Sequence, residues 1–296
     1  MTLAIPSIVR NKARIAGAAD WVESLPHLVR DLELEWSLTA GTVFVDATEA
    51  LVLEAALEDG TEAVLKIHIP RKGDHAAHEI TVLQLASGEG CPTLFRHDEE
   101  RGVLLMERLG PSMADLDLPL EERQRGLCES VMRLWRPASG ADLPTGAEKG
   151  RWLMEFIAAT WERLGRPCSS RAVEHALECA ERRIEAHDPD RAMLVHGDIH
   201  QWNALRAGDG FKLVDPDGLL ADPEYRHRFR RSFDRRKLGP TLWHRDFHDA
   251  RIVACPDESL IGLREQLDQL DAPTLGVVVN GDTKGSDPYY YYSSRN

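Results

Sequence analysis

Leu194-Val195-His196-Gly197-Asp198-Ile199-His200-Gln201-Trp202-Asn203 is the stretch on which the reading of this chain turns. It has the form H-x-D-x-x-x-x-N and follows a short apolar strand, Met193-Leu194-Val195. Gly208-Asp209-Gly210 then closes a hairpin, and Phe211-Lys212-Leu213-Val214 returns to Asp215-Pro216-Asp217-Gly218. A carboxylate and a carboxamide on one arm are thereby matched with a second carboxylate at the end of the other. Phosphoryl transfer uses this set: one Asp takes or orients the proton of the attacking hydroxyl, and an Asn and another Asp hold Mg2+ against the phosphates. Asp198 is the expected base, and Asn203 and Asp215 are the expected metal ligands. His196 is expected to hold the loop by hydrogen bonds. Two other readings compete. The stretch could be a polar turn whose Asp and Asn cap local backbone groups. It could also be a hydrolase metal cluster of His196, Asp198, His200 and Asp215, which would leave Lys66 and Asn203 without a role.

Upstream, Lys66 lies in Ala63-Val64-Leu65-Lys66-Ile67, a strand returning from an Asp59-Gly60 hairpin turn. A lysine on such a strand binds nucleotide phosphates and is oriented by a helix glutamate; a lone strand lysine is more often a solvated edge residue. Glu79 has the helix spacing to pair with it, and Glu62 and Glu54 are the other acidic candidates. No G-x-G-x-x-G is present. Val45–Ala50 is the candidate phosphate-covering loop, with the Thr48 hydroxyl and backbone N–H groups in place of glycines; an ordinary hairpin turn is the other reading. Met106-Glu107-Arg108-Leu109 follows a strand and precedes the helical part, so Glu107 and Leu109 are the linker positions expected to meet adenine.

The rest of the pattern gives an α+β order. A helix is expected over 18–38, complicated by Pro26, then strands at 42–45, 51–57 and 63–67 and a helix at 75–87. Strands follow at 93–95 and 103–106, and three helices at 119–136, 147–164 and 170–187 precede the motif. This predicts a protein-kinase-like two-lobe fold: a small β-rich N-lobe, residues 1–108, that binds nucleotide, and a larger, mostly helical catalytic lobe, residues 109–225.

Composition narrows the partners. The 296 residues carry a net charge of −13, so a nucleic-acid backbone is not the expected partner. Such a charge suits a cationic substrate or Mg2+, but more often serves solubility alone. Five cysteines without a C-x-x-C argue against a disulfide framework or zinc site and fit a reducing cytoplasm. Neither a signal-peptide run nor an 18-residue apolar stretch occurs, so no membrane partner is expected.

These segments resemble the aminoglycoside phosphotransferase superfamily, most closely its streptomycin 6-kinase/hydroxyurea phosphotransferase branch. The likeness rests on residues 194–203, 213–218 with Asp222-Pro223-Glu224-Tyr225, 63–67 and 104–110, and covers roughly residues 35 to 225. It implies an ATP- and Mg2+-dependent O-phosphotransferase acting on a small molecule such as streptomycin, an antibiotic-resistance activity. By the same likeness Asp198 is the base, Asn203 and Asp215 bind Mg2+, Lys66 supported by Glu79 holds the phosphates, and the linker meets adenine. Kinases of other hydroxylated metabolites share the fold, and a catalytically silent nucleotide-binding protein is a further alternative. After Tyr225 the pattern is lost. Residues 226–237 form a basic, poorly periodic run in an acidic chain, and the end reads Tyr289-Tyr290-Tyr291-Tyr292. Residues 226–296 are expected to be an atypical tail from a reading-frame change near codon 226; a basic arm for a partner is the other reading.

Overall fold

A computed structural model of the chain describes residues 3–71, 73 and 75–221. The expected frame change, the basic run and the tail to residue 296 lie outside the described residues. Two helices open the chain, α1 (Ser7–Ile15) and α2 (Ala19–Trp36). In α2 the buried residues are Val22, Leu25, Val29, Leu32 and Trp36, spaced by three and four so that they form one stripe. The helix runs through Pro26, at its eighth position. Ser37, in the left-handed conformation at φ 50°, ends it.

Five antiparallel strands follow: β1 (Leu38–Val43), β2 (Ala50–Leu57), β3 (Glu62–His68), β4 (Leu94–Asp98) and β5 (Val103–Glu107), in the order β1-β2-β3-β5-β4. The two-residue period of a strand divides β3 between two faces. Ala63, Leu65 and Ile67 join Leu51, Leu53, Val103, Leu105 and the Leu25, Val29, Leu32 and Trp36 part of the α2 stripe in one core. Leu25, Leu32, Leu65 and Ile67 are wholly buried there, each contributing about 2 kcal/mol through burial. Lys66 and His68 take the alternate positions and so stand on the other face. There α3 (His75–Ala86) buries Glu79 together with Ile80, Val82 and Leu83.

After β5 come a 3-10 turn (Met113–Asp115), α4 (Leu120–Leu134), α5 (Gly146–Arg163), α6 (Ser170–Glu185), β6 (Met193–Val195), the hairpin β7 (Ala204–Ala207) with β8 (Gly210–Leu213), and β9 (Leu219–Ala221). β9 pairs with β6, Val195 against Leu219 and Met193 against Ala221. The chain up to Thr145 and the stretch from Asp188 form one compact unit; Gly146–His187 belongs to a second. Within the second, Gly150 lets α5 approach α6: a Cβ there would stand 2.7 Å from Ile184 Cγ1. Among the described residues no helix is long and apolar enough to cross a membrane. The architecture is α+β, a five-stranded antiparallel sheet followed by mostly helical chain with a small hairpin, as the element order predicts.

Candidate active site

Because β3 is an interior strand, Lys66 is not a solvated edge residue; it is 6 % exposed. Its ammonium donates to both carboxylate oxygens of Glu79, at 2.7 and 2.6 Å, and to Asp215 Oδ1 at 2.5 Å. Glu54 and Glu62, the other acidic candidates, both face Arg108 instead, at 2.6 and 3.3 Å. Burial alone would lower the Lys66 pKa, but the charges of Asp215 and Glu79 outweigh it and hold it above the ordinary lysine value. Burial would likewise raise Glu79; Lys66, with His68, outweighs that and holds the carboxyl down to about 2. The site therefore keeps a charged ammonium buried between the sheet and α3.

The loop after β6 is fixed by His196, which is wholly buried. Burial depresses its pKa, favouring the neutral ring. Its Nε2–H donates to Val214 O at 3.0 Å and its Nδ1 accepts the Asp198 N–H at 3.3 Å. One imidazole thus ties the Asp198 loop to the strand leading into Asp215. Both ring nitrogens face backbone groups, so the four-group hydrolase cluster does not assemble. Among the described residues no three His, Cys, Asp or Glu side chains converge as a metal site. Asn203 Nδ2 donates to Asp198 O at 3.0 Å and lies 3.4 Å from Asp198 Oδ2. With its Nδ2 turned to Asp198, the Asn203 Oδ1 faces the other way.

The hairpin explains why Asn203 and Asp215 come to the same end of one ribbon. Ala204 pairs with Leu213, and one step outward Val214 N–H donates to Asn203 O at 2.8 Å. Asn203 and Asp215 therefore flank the open end of one two-stranded ribbon. Asp215 has φ 57°, a conformation that costs a non-glycine residue about 1 kcal/mol and is retained where surroundings enforce it. Here the Lys66 ammonium receives the carboxylate. Gly197 and Gly218 also have positive φ, 90° and 69°. A Cβ on Gly197 would stand 2.8 Å from Asp217 Cβ, so the two motif segments touch where only glycine fits.

Around the linker, Glu107 Oε2 accepts from Thr93 N–H (2.9 Å), Thr93 Oγ1 (3.0 Å) and Lys212 Nζ (2.5 Å). Burial would raise the Glu107 pKa, but these donors, Lys212 first, hold it lower. The Glu107 side chain is turned into this tie, whereas Leu109 lines a cleft of about 470 Å³ with Phe44, Glu62, Arg108, Gly110 and Pro111. Thr48 is half-buried in the loop between β1 and β2. That loop is anchored by Glu49, which meets Lys12 of α1 and, at 2.5 Å, Arg71.

Four residues of the site have no part in the motif reading. His68 Nε2 is 2.9 Å from Glu79 Oε2; the period-two relation to Lys66 is the sequence signal for it. His200 Nε2 is 3.4 Å from Asp198 Oδ2. Arg123 of α4 donates to Leu118 O (2.9 Å) and to Gln201 Oε1 (3.2 Å), joining α4 to the loop. Lys212 holds Glu107. No local spacing marks Arg123 or Lys212.

Comparison with known proteins adds the following. A family model described as aminoglycoside/hydroxyurea antibiotic resistance kinase matches residues 35–232. A streptomycin 6-kinase of Streptomyces glaucescens is 29% identical over 208 residues, 69% of this chain and 66% of that protein. A hydroxyurea phosphotransferase of Kitasatospora aureofaciens is 30% identical over 225 residues, 74% of this chain and 64% of that protein. The matched region thus spans just under two thirds of either relative. Among solved structures, a macrolide 2'-phosphotransferase of Brachybacterium faecium superposes with a TM-score of 0.44 at 15% identity, over 68% of this chain and 74% of that one.

Proposed function

Since this chain belongs to the aminoglycoside/hydroxyurea antibiotic resistance kinase family, we propose that it transfers the γ-phosphoryl group of ATP to a hydroxyl of a small molecule. The observation that carries this reading is the Lys66 ammonium bridging Glu79 and Asp215, in a unit where the Asp215 strand is tied through His196 to Asp198. A buried ammonium held in its charged form by a carboxylate is a ready site for phosphate oxygens. The hydrolase alternative gives that ammonium no task.

Each residue has a role in this reading. Lys66, kept in place by Glu79, holds nucleotide phosphates. Thr48 and the backbone of its loop cover them. Leu109 in the cleft meets adenine, and Glu107 serves by fixing the linker through Thr93 and Lys212. Asn203 Oδ1 and the Asp215 carboxylate are hard oxygen donors at the end of one hairpin; that set suits Mg2+, with phosphate and water as further ligands. Mg2+, when bound, neutralises charge on the phosphates. Asp198 accepts or orients the acceptor's hydroxyl proton. Most of the rate enhancement would come from positioning and electrostatics.

For the acceptor we propose a hydroxylated cationic molecule of the streptomycin type. The motif's own carboxylates, Asp198 and Asp217, and the net charge of −13 favour a cation over an anion. ADP release should be measured with streptomycin, hydroxyurea and a panel of hydroxylated amines, with and without Mg2+, and the product identified as a phosphate ester. Mg2+-dependent ester formation with streptomycin supports the reading in full. Ester formation only with another panel member moves the activity to a metabolite kinase. ATP-independent turnover refutes it.

A further inference from the structure

The Asp198 loop contains one imidazole that the motif reading leaves without work. His200 follows the base by two residues, and its ring is held rather than loose. The Trp202 backbone N–H donates to His200 Nδ1 at 3.2 Å, and the Asn203 N–H donates to His200 O at 3.0 Å. A nitrogen that accepts a hydrogen bond carries no proton, so the neutral ring must carry its hydrogen on Nε2. That Nε2 lies 3.4 Å from Asp198 Oδ2, with only 20 % of the His200 side chain and 18 % of the Asp198 side chain exposed. Asn203 Nδ2 stands at the same distance from the same oxygen.

We propose that His200 is a positioning residue for Asp198: the Trp202 amide fixes the imidazole tautomer, and the Nε2–H sets the plane of the carboxylate by holding Oδ2. This deepens the phosphotransferase reading and rests on it. The physical need is specific. Rotation about the bond to a carboxylate is soft and broadly distributed, so a base must be oriented from outside its own side chain. Two donors on one oxygen define the plane, and a base aligned with the acceptor hydroxyl gains the advantage of near-attack geometry. Contacts of this kind are often long in the absence of substrate and shorten when it binds.

The competing role is a simple turn cap, in which only the Nδ1 contact with Trp202 matters. Two substitutions separate the roles. His200→Asn places an amide oxygen where Nδ1 accepts, keeping the cap and losing the reach to Asp198. His200→Gln places an amide N–H where Nε2 donates, keeping the reach and losing the cap. With streptomycin as acceptor and ADP release as readout, H200N is expected to lower kcat by about 10- to 100-fold with the KM for ATP within about twofold, whereas H200Q stays several-fold faster than H200N. Any result in which H200Q is no faster than H200N overturns the proposal. A second measurement is independent of turnover. Long-range 1H–15N correlation spectra of the 15N-labelled full chain, with His200 assigned by its loss in H200Q, should show the Nε2–H tautomer and a shift of that nitrogen in D198N. An Nδ1–H tautomer, or a nitrogen indifferent to D198N, also overturns it. Wild type that makes no ester with any acceptor in the panel counts against the phosphotransferase reading, and the spectra still decide the contact.

Discussion

Lys66 Nζ and Asp215 Oδ1 lie 2.5 Å apart although 149 residues separate them. The same ammonium is held by Glu79 on α3, so one side chain joins β3, α3 and the end of the β7–β8 hairpin. Replacing Lys66 by Met keeps the stem and removes the charge. Glu79, 3 % exposed, is then left ionised without its main counter-charge, at a cost of about 3–5 kcal/mol. K66M should therefore unfold at a lower urea concentration and lose ATP binding. The double variant K66M/E79Q should regain stability, because Gln carries no charge, without regaining nucleotide affinity. A K66M chain as stable as wild type would refute the buried pair.

The Glu79 carboxyl gives a pH prediction. Its pKa is held down to about 2 against an ordinary 4.5. Between those values the unfolded chain binds more protons than the folded one, so stability rises with pH. The contribution is fully present above about 4.5 and is lost as pH falls toward 2. E79Q mimics the protonated form at every pH. The stability gap between wild type and E79Q should be constant from neutrality to about pH 4.5 and then close. Denaturant midpoints at a series of pH values measure it, and a gap that persists unchanged at pH 2–3 contradicts the assignment.

Much of this was legible in the sequence because the site is built from short segments with fixed internal spacing. His196, Asp198 and Asn203 fall in eight residues, and the hairpin that carries Asp215 is announced by Gly208-Asp209-Gly210. What escaped reading depends on contacts between distant segments. α1 buries only Val9 and Ala13, and its stripe acquires meaning through Val22 of α2 and Ile69. β1 begins at Leu38, earlier than the expected 42, because its partner Leu57 lies on β2. β9 has three residues, too few for any period, and exists by pairing with β6. Lys212 meets Glu107 across 105 residues. Pro26 works in the opposite sense: it weakens a helix locally, yet the stripe on either side of it packs on the sheet and carries the expected helix through.

Asp198 is the residue whose loss should separate chemistry from binding. Asp198→Asn keeps the size and an oxygen facing Asn203 Nδ2, while removing the ability to take a proton. The kcat should fall about 10²- to 10⁴-fold, with ATP affinity unchanged within about twofold. Single-turnover kinetics and calorimetric ATP titration test the two halves. Near-normal kcat in D198N removes Asp198 as the base.

Gly218 ends the second motif in a conformation that side chains rarely adopt, φ 69°. A Cβ there would stand 2.8 Å from Val82 Cγ2 and 3.0 Å from Leu143 Cδ2. Val82 belongs to α3, one turn from Glu79, so whatever displaces Val82 also moves the helix that orients Lys66. Gly218→Ala combines a backbone penalty of about 1 kcal/mol with overpacking of about 1–3 kcal/mol. The expected result is a chain that still folds, with a lower thermal midpoint and weaker ATP binding. Val82→Ala removes the nearest atom of the clash. If the coupling runs through Val82, G218A/V82A should bind ATP more tightly than G218A, although V82A alone is destabilising. Nucleotide titration of the four chains measures the coupling. Strict additivity of the two substitutions would show that the effect of Gly218→Ala does not run through Val82.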